Sequence, residues 1–193
     1  MAKQNKLKTT GSLRIIAGRW RGRKLTVLDL DGLRPTSDRI RETLFNWLQP
    51  TLGQANCLDL FSGTGALGLE AASRGAQKVT LVELNTKAAE QLRSNCQQLE
   101  ADNCQVENQD AATFLSGNNE QYDIVFIDPP YQADLWSQIA QQLVSHNSLS
   151  VDAVIYLEYP SHISPPSLPA HWQLMKEKKA GAVNYCLFKN TIE

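Results

Sequence analysis

The sequence contains few cysteines and no long apolar segment. Its four cysteines are scattered without a C-x-x-C pair, which argues against a zinc site or a disulfide framework. Its three histidines also lack the spacing of metal ligands, so we predict no bound metal. No segment approaches the ~18 consecutive apolar residues of a membrane helix, and the first residues lack the apolar core of a signal peptide. We therefore expect a cytoplasmic protein that does not interact with membranes.

Acidic residues are missing from the start of the chain, where none precedes Asp29. Residues 1–45 contain eleven Lys and Arg against four acids, whereas residues 46–193 contain eight against sixteen. The net charge of −1 therefore conceals a basic segment followed by an acidic one. Such segregation is typical of proteins that bind a polyanion. We predict that residues 1–45 are a basic extension and that residues 46–193 form the main domain.

Apolar patterns along the chain alternate between strand and helix spacing. A small β-hairpin is predicted over residues 13–25, with Gly18 and Gly22 near its turn, and a helix capped by Thr36 or Ser37 follows. Strands are predicted at 57–61, 79–83, 104–107, 123–127, 153–159, 172–177 and 184–189, and helices at 66–74, 86–99, 111–115 and 135–144. This alternation implies an α/β fold, a parallel sheet with helices on both faces. The last two strands are predicted to close it as an antiparallel hairpin.

The tetrapeptide Asp128-Pro129-Pro130-Tyr131 directly follows the apolar run 124–127. The run is predicted to be a buried strand, and neither proline can continue it because proline donates no N–H. The result is a stiff turn with a carboxylate, carbonyl groups and a ring at the carboxyl end of a strand, where open α/β sheets bind ligands. Such a turn is suited to hold a flat base by its exocyclic amine. The alternative is an ordinary strand-terminating loop.

A glycine-rich turn with the pattern G-x-G-x-x-G is formed by Gly63, Gly65 and Gly68. Glycines let the backbone bend sharply and approach a ligand, and the pattern alone fits NAD as well as S-adenosylmethionine (SAM). A phosphate-binding P-loop would need Gly-Lys-Ser/Thr, which the turn lacks. Glu83 ends the next strand, where an acid can accept hydrogen bonds from both ribose hydroxyls. Asp110 follows the third strand, within reach of an adenine amine.

Together these segments resemble motifs I to IV of SAM-dependent methyltransferases in order and spacing. A dinucleotide enzyme offers no reason for the tetrapeptide, which resembles motif IV of the amino-group methyltransferases. The resemblance implies that Asp128, Pro129, Pro130 and Tyr131 are catalytic: the acid and a proline carbonyl accept the amine hydrogens, and the ring stacks on the base. It implies cofactor contacts by Asp59, Phe61, Gly63, Thr64, Gly65, Glu83, Asp110 and Ala111. An unpaired carboxylate inside a strand is costly, so Asp59 either bonds to the glycine turn or lies near the cofactor's amino-acid end.

The segments 13–25 and 33–46 extend the likeness to the RsmD family, bacterial methyltransferases that modify guanine N2 in 16S ribosomal RNA. The resemblance covers residues 13–189. It implies a Rossmann-like, SAM-dependent methyltransferase fold with a seven-stranded, mostly parallel sheet, an antiparallel C-terminal strand and a small N-terminal hairpin. It also implies that the substrate is 16S rRNA within the small ribosomal subunit or its assembly intermediate. We expect the enzyme to act as a monomer.

Five basic residues of the extension are predicted to contact phosphates: Arg19, Arg21, Arg23, Lys24 and Arg34. The alternative is a solvated charged face. Trp20 either packs the hairpin or stacks on a base.

The rival functions are a DNA amino-methyltransferase, which would usually need a target-recognition domain, and a protein glutamine methyltransferase, which prefers Asn at the position of Asp128. A non-enzymatic RNA-binding module would leave the glycine turn and the tetrapeptide unexplained.

Overall fold

A computed structural model describes residues 9–28, 36–131 and 135–191. Within these ranges the chain forms two sheets and five helices. The N-terminal hairpin consists of β1 (Thr9–Arg14) and β2 (Lys24–Leu28), which pair antiparallel. The remaining strands are β3 (Asn56–Asp59), β4 (Lys78–Val82), β5 (Cys104–Glu107), β6 (Tyr122–Ile127), β7 (Leu149–Pro160), β8 (Trp172–Ala180) and β9 (Val183–Asn190). The helices are α1 (Asp38–Leu52), α2 (Gly68–Ser73), α3 (Thr86–Leu99), α4 (Ala111–Gly117) and α5 (Trp136–Ser145).

The larger sheet has seven strands in the order β5-β4-β3-β6-β7-β9-β8. The first five are mutually parallel, β9 pairs antiparallel with β7, and β8 pairs antiparallel with β9. The strand β9 therefore lies between β7 and the edge strand β8. The predicted mostly parallel sheet with an antiparallel C-terminal end is confirmed.

Helices cover both faces of this sheet, as alternation predicted. The helices α1, α2 and α3 and the N-terminal hairpin share one core with the first face, where Phe45, Leu69 and Phe126 are fully buried. The helices α4 and α5 pack on the second face. No helix of the described ranges is long and apolar enough to span a membrane.

Most predicted elements are present, with shifted ends. The helix α3 and the strand β5 have the predicted bounds, and Ser37 caps α1 by accepting the Ile40 N–H at 3.4 Å. The helix α2 begins two residues later than predicted, because residues 66 and 67 still belong to the glycine turn. For the same reason β3 ends at Asp59, not at residue 61. The strand β7 begins at Leu149, four residues before the predicted start.

The hairpin is fixed to α2 by a buried acid. Glu70 is fully buried, and its carboxylate accepts the backbone N–H groups of Ile16 and Ala17 at 2.8 and 3.0 Å. Arg74 donates to the same carboxylate at 2.7 Å, so the buried charge is paired. Because α1 runs across residue 45, the extension and the main domain share a helix as well as a core. The division of the chain at that residue stays a prediction.

A glycine is required where the hairpin loop meets α2. Gly18 has φ +82°, and a Cβ at this position would lie 1.9 Å from the Ser73 carbonyl oxygen. Trp20, also in this loop, is only 4% exposed. Of the two interpretations of Trp20, packing within the hairpin is therefore the one that holds.

Candidate active site

The predicted site segments lie at one edge of the sheet. The neighbouring parallel strands β4, β3 and β6 end there, and adjacent strands lie ~4.8 Å apart. Backbone hydrogen bonds continue past the strand ends: Ser62 N–H donates to Val82 at 2.9 Å, and Leu60 N–H donates to Phe126 at 3.3 Å. The glycine turn is thus held between the strands that carry Glu83 and Asp128.

The glycine turn has the backbone conformation that the sequence pattern predicted. Gly63 and Gly65 have φ values of +51° and +82°, in the left-handed region where side chains other than glycine are strained. A Cβ on Gly68 would lie 2.2 Å from Leu81 Cδ2. The third glycine of the pattern therefore permits the close approach of α2 to the sheet. Thr64 is buried beside these glycines, and Phe61 is half-buried.

Glu83 is oriented by the turn itself. Its Oε2 accepts the Gly63 N–H at 2.8 Å, and its Oε1 accepts the Asn85 N–H at 2.7 Å. The adjoining Leu84 is 67% exposed, so an apolar side chain faces solvent next to this carboxylate in the sequence. Asn108 donates to the carbonyl oxygens of both residues, at 2.8 and 3.0 Å. Sequence reasoning found Glu83 but missed Leu84 and Asn108; an apolar residue directly after the strand-end acid is the signal for Leu84.

Asp59 is bonded to the glycine turn. Its side chain is buried, and Oδ2 accepts the Gly68 N–H at 3.0 Å. Burial raises the pKa of the Asp59 carboxyl to about 7, and the charge of Glu83 also raises it, while the backbone N–H groups of Gly68 and Phe61 act to lower it. The first of the two interpretations of Asp59 is confirmed. Contact with the cofactor stays a prediction for this residue.

Asp110 caps a helix at the same edge of the sheet. Its Oδ1 accepts the N–H groups of Ala112 and Thr113 at 2.9 and 3.0 Å, which fixes the start of α4. Asp110 is exposed and the following Ala111 is buried. The capping role is thus visible in the structure, and the contact with an adenine amine stays a prediction.

The tetrapeptide begins where β6 ends at Ile127, as predicted. Asp128 and Tyr131 are half-buried, Pro129 is buried and Pro130 is exposed. Residues from other elements contact this segment, and sequence reasoning missed Thr36 and Glu158 among them. The Thr36 hydroxyl donates to Asp128 Oδ2 at 3.5 Å, and the Tyr131 hydroxyl donates to Glu158 Oε1 at 3.0 Å. The available signal for Glu158 was an acid inside the apolar strand predicted at 153–159.

The predicted phosphate-binding residues lie apart from this edge. Arg19, Arg21, Arg23 and Lys24 are exposed. Arg19 N–H donates to the Ser73 carbonyl at 2.7 Å, and the Arg23 guanidinium donates to the Gln98 carbonyl at 3.0 Å. Both acceptors are at the C-terminal ends of α2 and α3, and each of these helices runs from the carboxyl edge back towards the opposite edge. The structure thus does not bring the basic cluster and the site together. Arg34 lies outside the described residues.

The described ranges contain no candidate metal site. No group of three or more His, Cys, Asp or Glu side chains there is arranged to hold a metal ion. The expectation that the protein binds no metal stays a prediction.

Comparison with known proteins identifies the family. The model of a family described as Conserved hypothetical protein 95 matches residues 13–189. Ribosomal RNA small subunit methyltransferase D of Escherichia coli (strain K12) is 47% identical over 180 residues, covering 93% of this chain and 91% of that protein. The chain belongs to the family of ribosomal RNA small subunit methyltransferase D.

Solved structures agree with this assignment. The structure of yhhF from Escherichia coli has a TM-score of 0.88 and 44% identity, and the match covers 94% of this chain and 99% of that one. An RNA methyltransferase from Salinibacter ruber, in complex with S-adenosyl-L-homocysteine, has a TM-score of 0.64 at 13% identity, covering 83% and 95%. The second likeness concerns the fold alone. The predicted family, the methyltransferase fold and the dependence on SAM are confirmed.

Proposed function

We propose that this family member transfers the methyl group of SAM to the exocyclic N2 amine of a guanine in 16S rRNA of the small ribosomal subunit. The observation that carries the proposal is the position of Asp128-Pro129-Pro130-Tyr131 at the carboxyl edge of β6, next to the strand that leads into the glycine turn. A rigid turn that can accept hydrogen bonds from an amine and a proposed binding site for SAM thus lie at the same edge of the sheet.

The residues at this edge fit SAM. The Glu83 carboxylate, fixed by two backbone N–H groups, offers acceptors for the ribose hydroxyls. The exposed Leu84 offers an apolar surface for the flat adenine ring, next to Asp110 and Ala111 at the start of α4. Asp59 supports the glycine turn from beneath through the Gly68 N–H. When bound, SAM supplies an electrophilic methyl group on a sulfonium.

The tetrapeptide would orient guanine N2, a weak nucleophile, towards the methyl group. The lone pair of guanine N2 is delocalised into the ring, and hydrogen bonds from its two hydrogens to Asp128 and the Pro129 carbonyl would favour a pyramidal nitrogen aimed at the methyl group. The Asp128 carboxylate would stabilise the positive charge that develops on nitrogen. The target base would be flipped out of its RNA helix or loop, and Tyr131 would stack on it. The methylated ammonium is acidic enough to lose its proton to water, and we assign no general base.

The basic extension would hold the RNA by its phosphates. Arg19, Arg21, Arg23 and Lys24 form an exposed cluster, and Arg34 belongs to the same basic segment. The cluster lies towards the sheet edge opposite to the tetrapeptide. A substrate that reaches both must be larger than a single RNA stem, as the small ribosomal subunit or its assembly intermediate is. A monomer acting in the cytoplasm, with residues 1–45 for RNA contact and residues 46–193 for catalysis, completes the proposal.

Methyl transfer from labelled SAM to small ribosomal subunits that lack the modification tests this function. We expect label in N2-methylguanosine after digestion of the 16S rRNA to nucleosides, and far slower labelling with the Asp128→Ala variant. Label in methylated adenine or cytosine would favour a nucleic-acid amino-methyltransferase of other specificity. Label in ribosomal protein would favour a protein methyltransferase. Tight RNA binding without any transfer would favour the non-enzymatic RNA-binding module.

A further inference from the structure

Glu158 is a buried acid on β7, the strand next to β6. It is 5% exposed. The parallel pairing of Ile127 with Leu157 brings the following residues, Asp128 and Glu158, to the same level of two adjacent strands. A carboxylate in this position loses most of its hydration, so its hydrogen-bond partners determine whether it is tolerated.

Two tyrosines share the Glu158 carboxylate. The Tyr131 hydroxyl donates to Oε1 at 3.0 Å, and the Tyr156 hydroxyl donates to Oε2 at 2.8 Å. Tyr156 is fully buried, and this burial, with the charges of Glu158 and Asp128, raises the pKa of Tyr156 well above its usual value. Tyr156 therefore stays a hydrogen-bond donor at neutral pH. It holds one side of the carboxylate and leaves the other side directed at Tyr131.

The Tyr131 ring is restrained from a second direction. Its centroid lies 6.3 Å from that of Trp136. The Trp136 indole N–H in turn donates to the backbone carbonyl of Glu158 at 2.7 Å. A tyrosine has two side-chain torsions, and a contact at the ring together with a bond at the hydroxyl fixes both. Since Tyr131 follows two prolines at the end of β6, the carboxylate completes the restraint that the rigid backbone begins.

We propose that Glu158 is a positioning residue for methyl transfer, which fixes the Tyr131 ring in the orientation that receives the target base. The inference rests on the proposed function. Glu158 acts through the Tyr131 hydroxyl and not by its charge on the reacting amine. A loosely held ring would still allow binding but would misplace the base, and small misplacements at a reacting centre can cost ~10²-fold in rate.

The test compares variants of the carboxylate, of Tyr131 and of a tyrosine remote from the site. Glu158→Met removes both acceptors at similar side-chain length, whereas Glu158→Gln loses the charge and keeps a hydrogen-bonding group for Tyr131. We expect Glu158→Met to lower kcat/KM for the ribosomal substrate by roughly 10-fold to 100-fold, with unchanged SAM affinity. Glu158→Gln should recover most of that loss. A Glu158→Gln variant as impaired as Glu158→Met would show that a hydrogen-bonding group at this position does not restore the function of Tyr131, and it would overturn the proposal.

Tyrosine variants complete a double-mutant cycle. Tyr131→Phe keeps the ring and loses the hydroxyl, so we expect it to resemble Glu158→Met, and the double variant to be no worse than the more impaired single variant. Tyr122→Phe removes a buried hydroxyl that donates to Asn118 at 3.3 Å, at the opposite end of β6, and is the matched control, expected to stay within about twofold of the unmodified enzyme in kcat/KM. Additive losses in the double variant, or equal losses in the two tyrosine variants, would overturn the positioning role.

Two outcomes need separate treatment. If the unmodified enzyme fails to methylate guanine N2, the proposed function is wrong, and the double-mutant cycle of Glu158 and Tyr131 cannot be measured. If Glu158→Met does not fold, as a lost thermal transition would show, the comparison of Tyr131→Phe with Tyr122→Phe decides alone. A normal kcat/KM in Tyr131→Phe would then overturn the inference, and a selective loss in that variant would support it.

Discussion

The Thr36 hydroxyl donates a hydrogen bond to Asp128 Oδ2 at 3.5 Å, between residues 92 positions apart in the sequence. Thr36 is 8% exposed and precedes the cap of α1, so the donor is held by the first turn of a helix. A residue of the basic extension thus reaches the carboxylate proposed to hold the target amine. The distance exceeds the ~2.5–3.0 Å that is typical of O–H···O bonds, so we expect the contact to add little to the stability of the fold.

Thr36→Val should reduce turnover without changing SAM binding. Valine keeps the shape of threonine and removes the donor, so Asp128 loses one restraint on its orientation. We expect kcat to fall by roughly 10-fold, a part of the ~10²-fold that misplacement can cost. Thr43→Val, which removes a hydroxyl that donates to the backbone carbonyl of Arg39 within α1, is the control and should be near normal. Equal activities of the two valine variants would contradict a role for Thr36.

Asp128→Ala should abolish most methyl transfer and leave SAM affinity nearly unchanged. The carboxylate is proposed to act on the target amine and on the charge of the transition state, so the loss belongs in kcat. Removing one such electrostatic interaction typically costs ~10²–10³-fold in rate. Single-turnover assays with saturating SAM measure it. Near-normal turnover in a folded variant would show that the tetrapeptide has another role.

Glu83→Ala should have the opposite effect and weaken SAM binding. The carboxylate is fixed by Gly63 and Asn85 N–H groups, and it is proposed to accept both ribose hydroxyls. Removing a charged acceptor should cost ~1.5–3 kcal/mol, roughly 10-fold to 100-fold in affinity. Glu90→Ala, at an exposed position on α3, is the matched control. Calorimetry that finds the same SAM affinity in both variants would remove Glu83 from the cofactor site.

The buried Asp59 should make stability depend on pH. Its pKa is raised in the folded protein to about 7, from 3.8, so between these values the folded state holds a proton that the unfolded chain has lost. Stability from this group therefore falls as pH rises from about 4 to about 7 and is constant above that range. Asp59→Asn cannot titrate. We expect the unfolding free energy of the wild type, relative to Asp59→Asn, to fall by up to about 3 kcal/mol between about pH 5 and pH 8.

Denaturant titrations of both proteins at several pH values provide that measurement. Only the change of the difference with pH is diagnostic, because the amide cannot accept from both N–H groups that face Asp59 and will shift the absolute stability. A difference that is flat across the range would show that the Asp59 carboxyl titrates near its ordinary value, and one that rises with pH would contradict a raised pKa altogether.

Local patterns were sufficient to predict the part of the site that comes from single segments. The glycine turn, Glu83 and the tetrapeptide each follow a strand directly, and parallel strands end at one edge, so their meeting is implied by the alternation. Thr36 and Glu158 could not be found in this way, because each reaches the tetrapeptide from a distant element. Their contacts depend on how α1 packs on the sheet and on the register of β7 with β6, which no local pattern specifies.

The same limit applies to the basic cluster. Composition identified Arg19, Arg21, Arg23 and Lys24 as a charged group but could not say which edge of the sheet they would face. That depends on the loop of the hairpin meeting the C-terminal end of α2, through Gly18 and the buried Glu70. The four basic residues are grouped and exposed in the structure, as predicted. The distance of this cluster from the tetrapeptide was not predicted.

Removing the basic cluster should weaken RNA binding and leave SAM binding unchanged. Binding of phosphates releases counterions, so affinity falls with salt, and the log–log slope shrinks by ~0.7–0.9 for each phosphate that the protein no longer neutralises. Replacing Arg19, Arg21, Arg23 and Lys24 by alanine should therefore flatten the salt dependence of binding to the small subunit. Because the cluster faces away from the methyl-transfer edge, kcat at saturating substrate should change little.

Binding curves from about 50 to about 200 mM salt test this prediction, since phosphate binding shows its salt dependence over that range. The control is a double variant, Lys176→Ala with Lys179→Ala, which removes two exposed lysines from the edge strand β8 at the far end of the sheet. It changes the net charge in the same direction without touching the cluster, and its slope should stay close to that of the unmodified enzyme. Equal slopes in the quadruple variant and the unmodified enzyme would mean that the four residues are only a solvated face. The phosphates would then have to be bound by another surface of the protein.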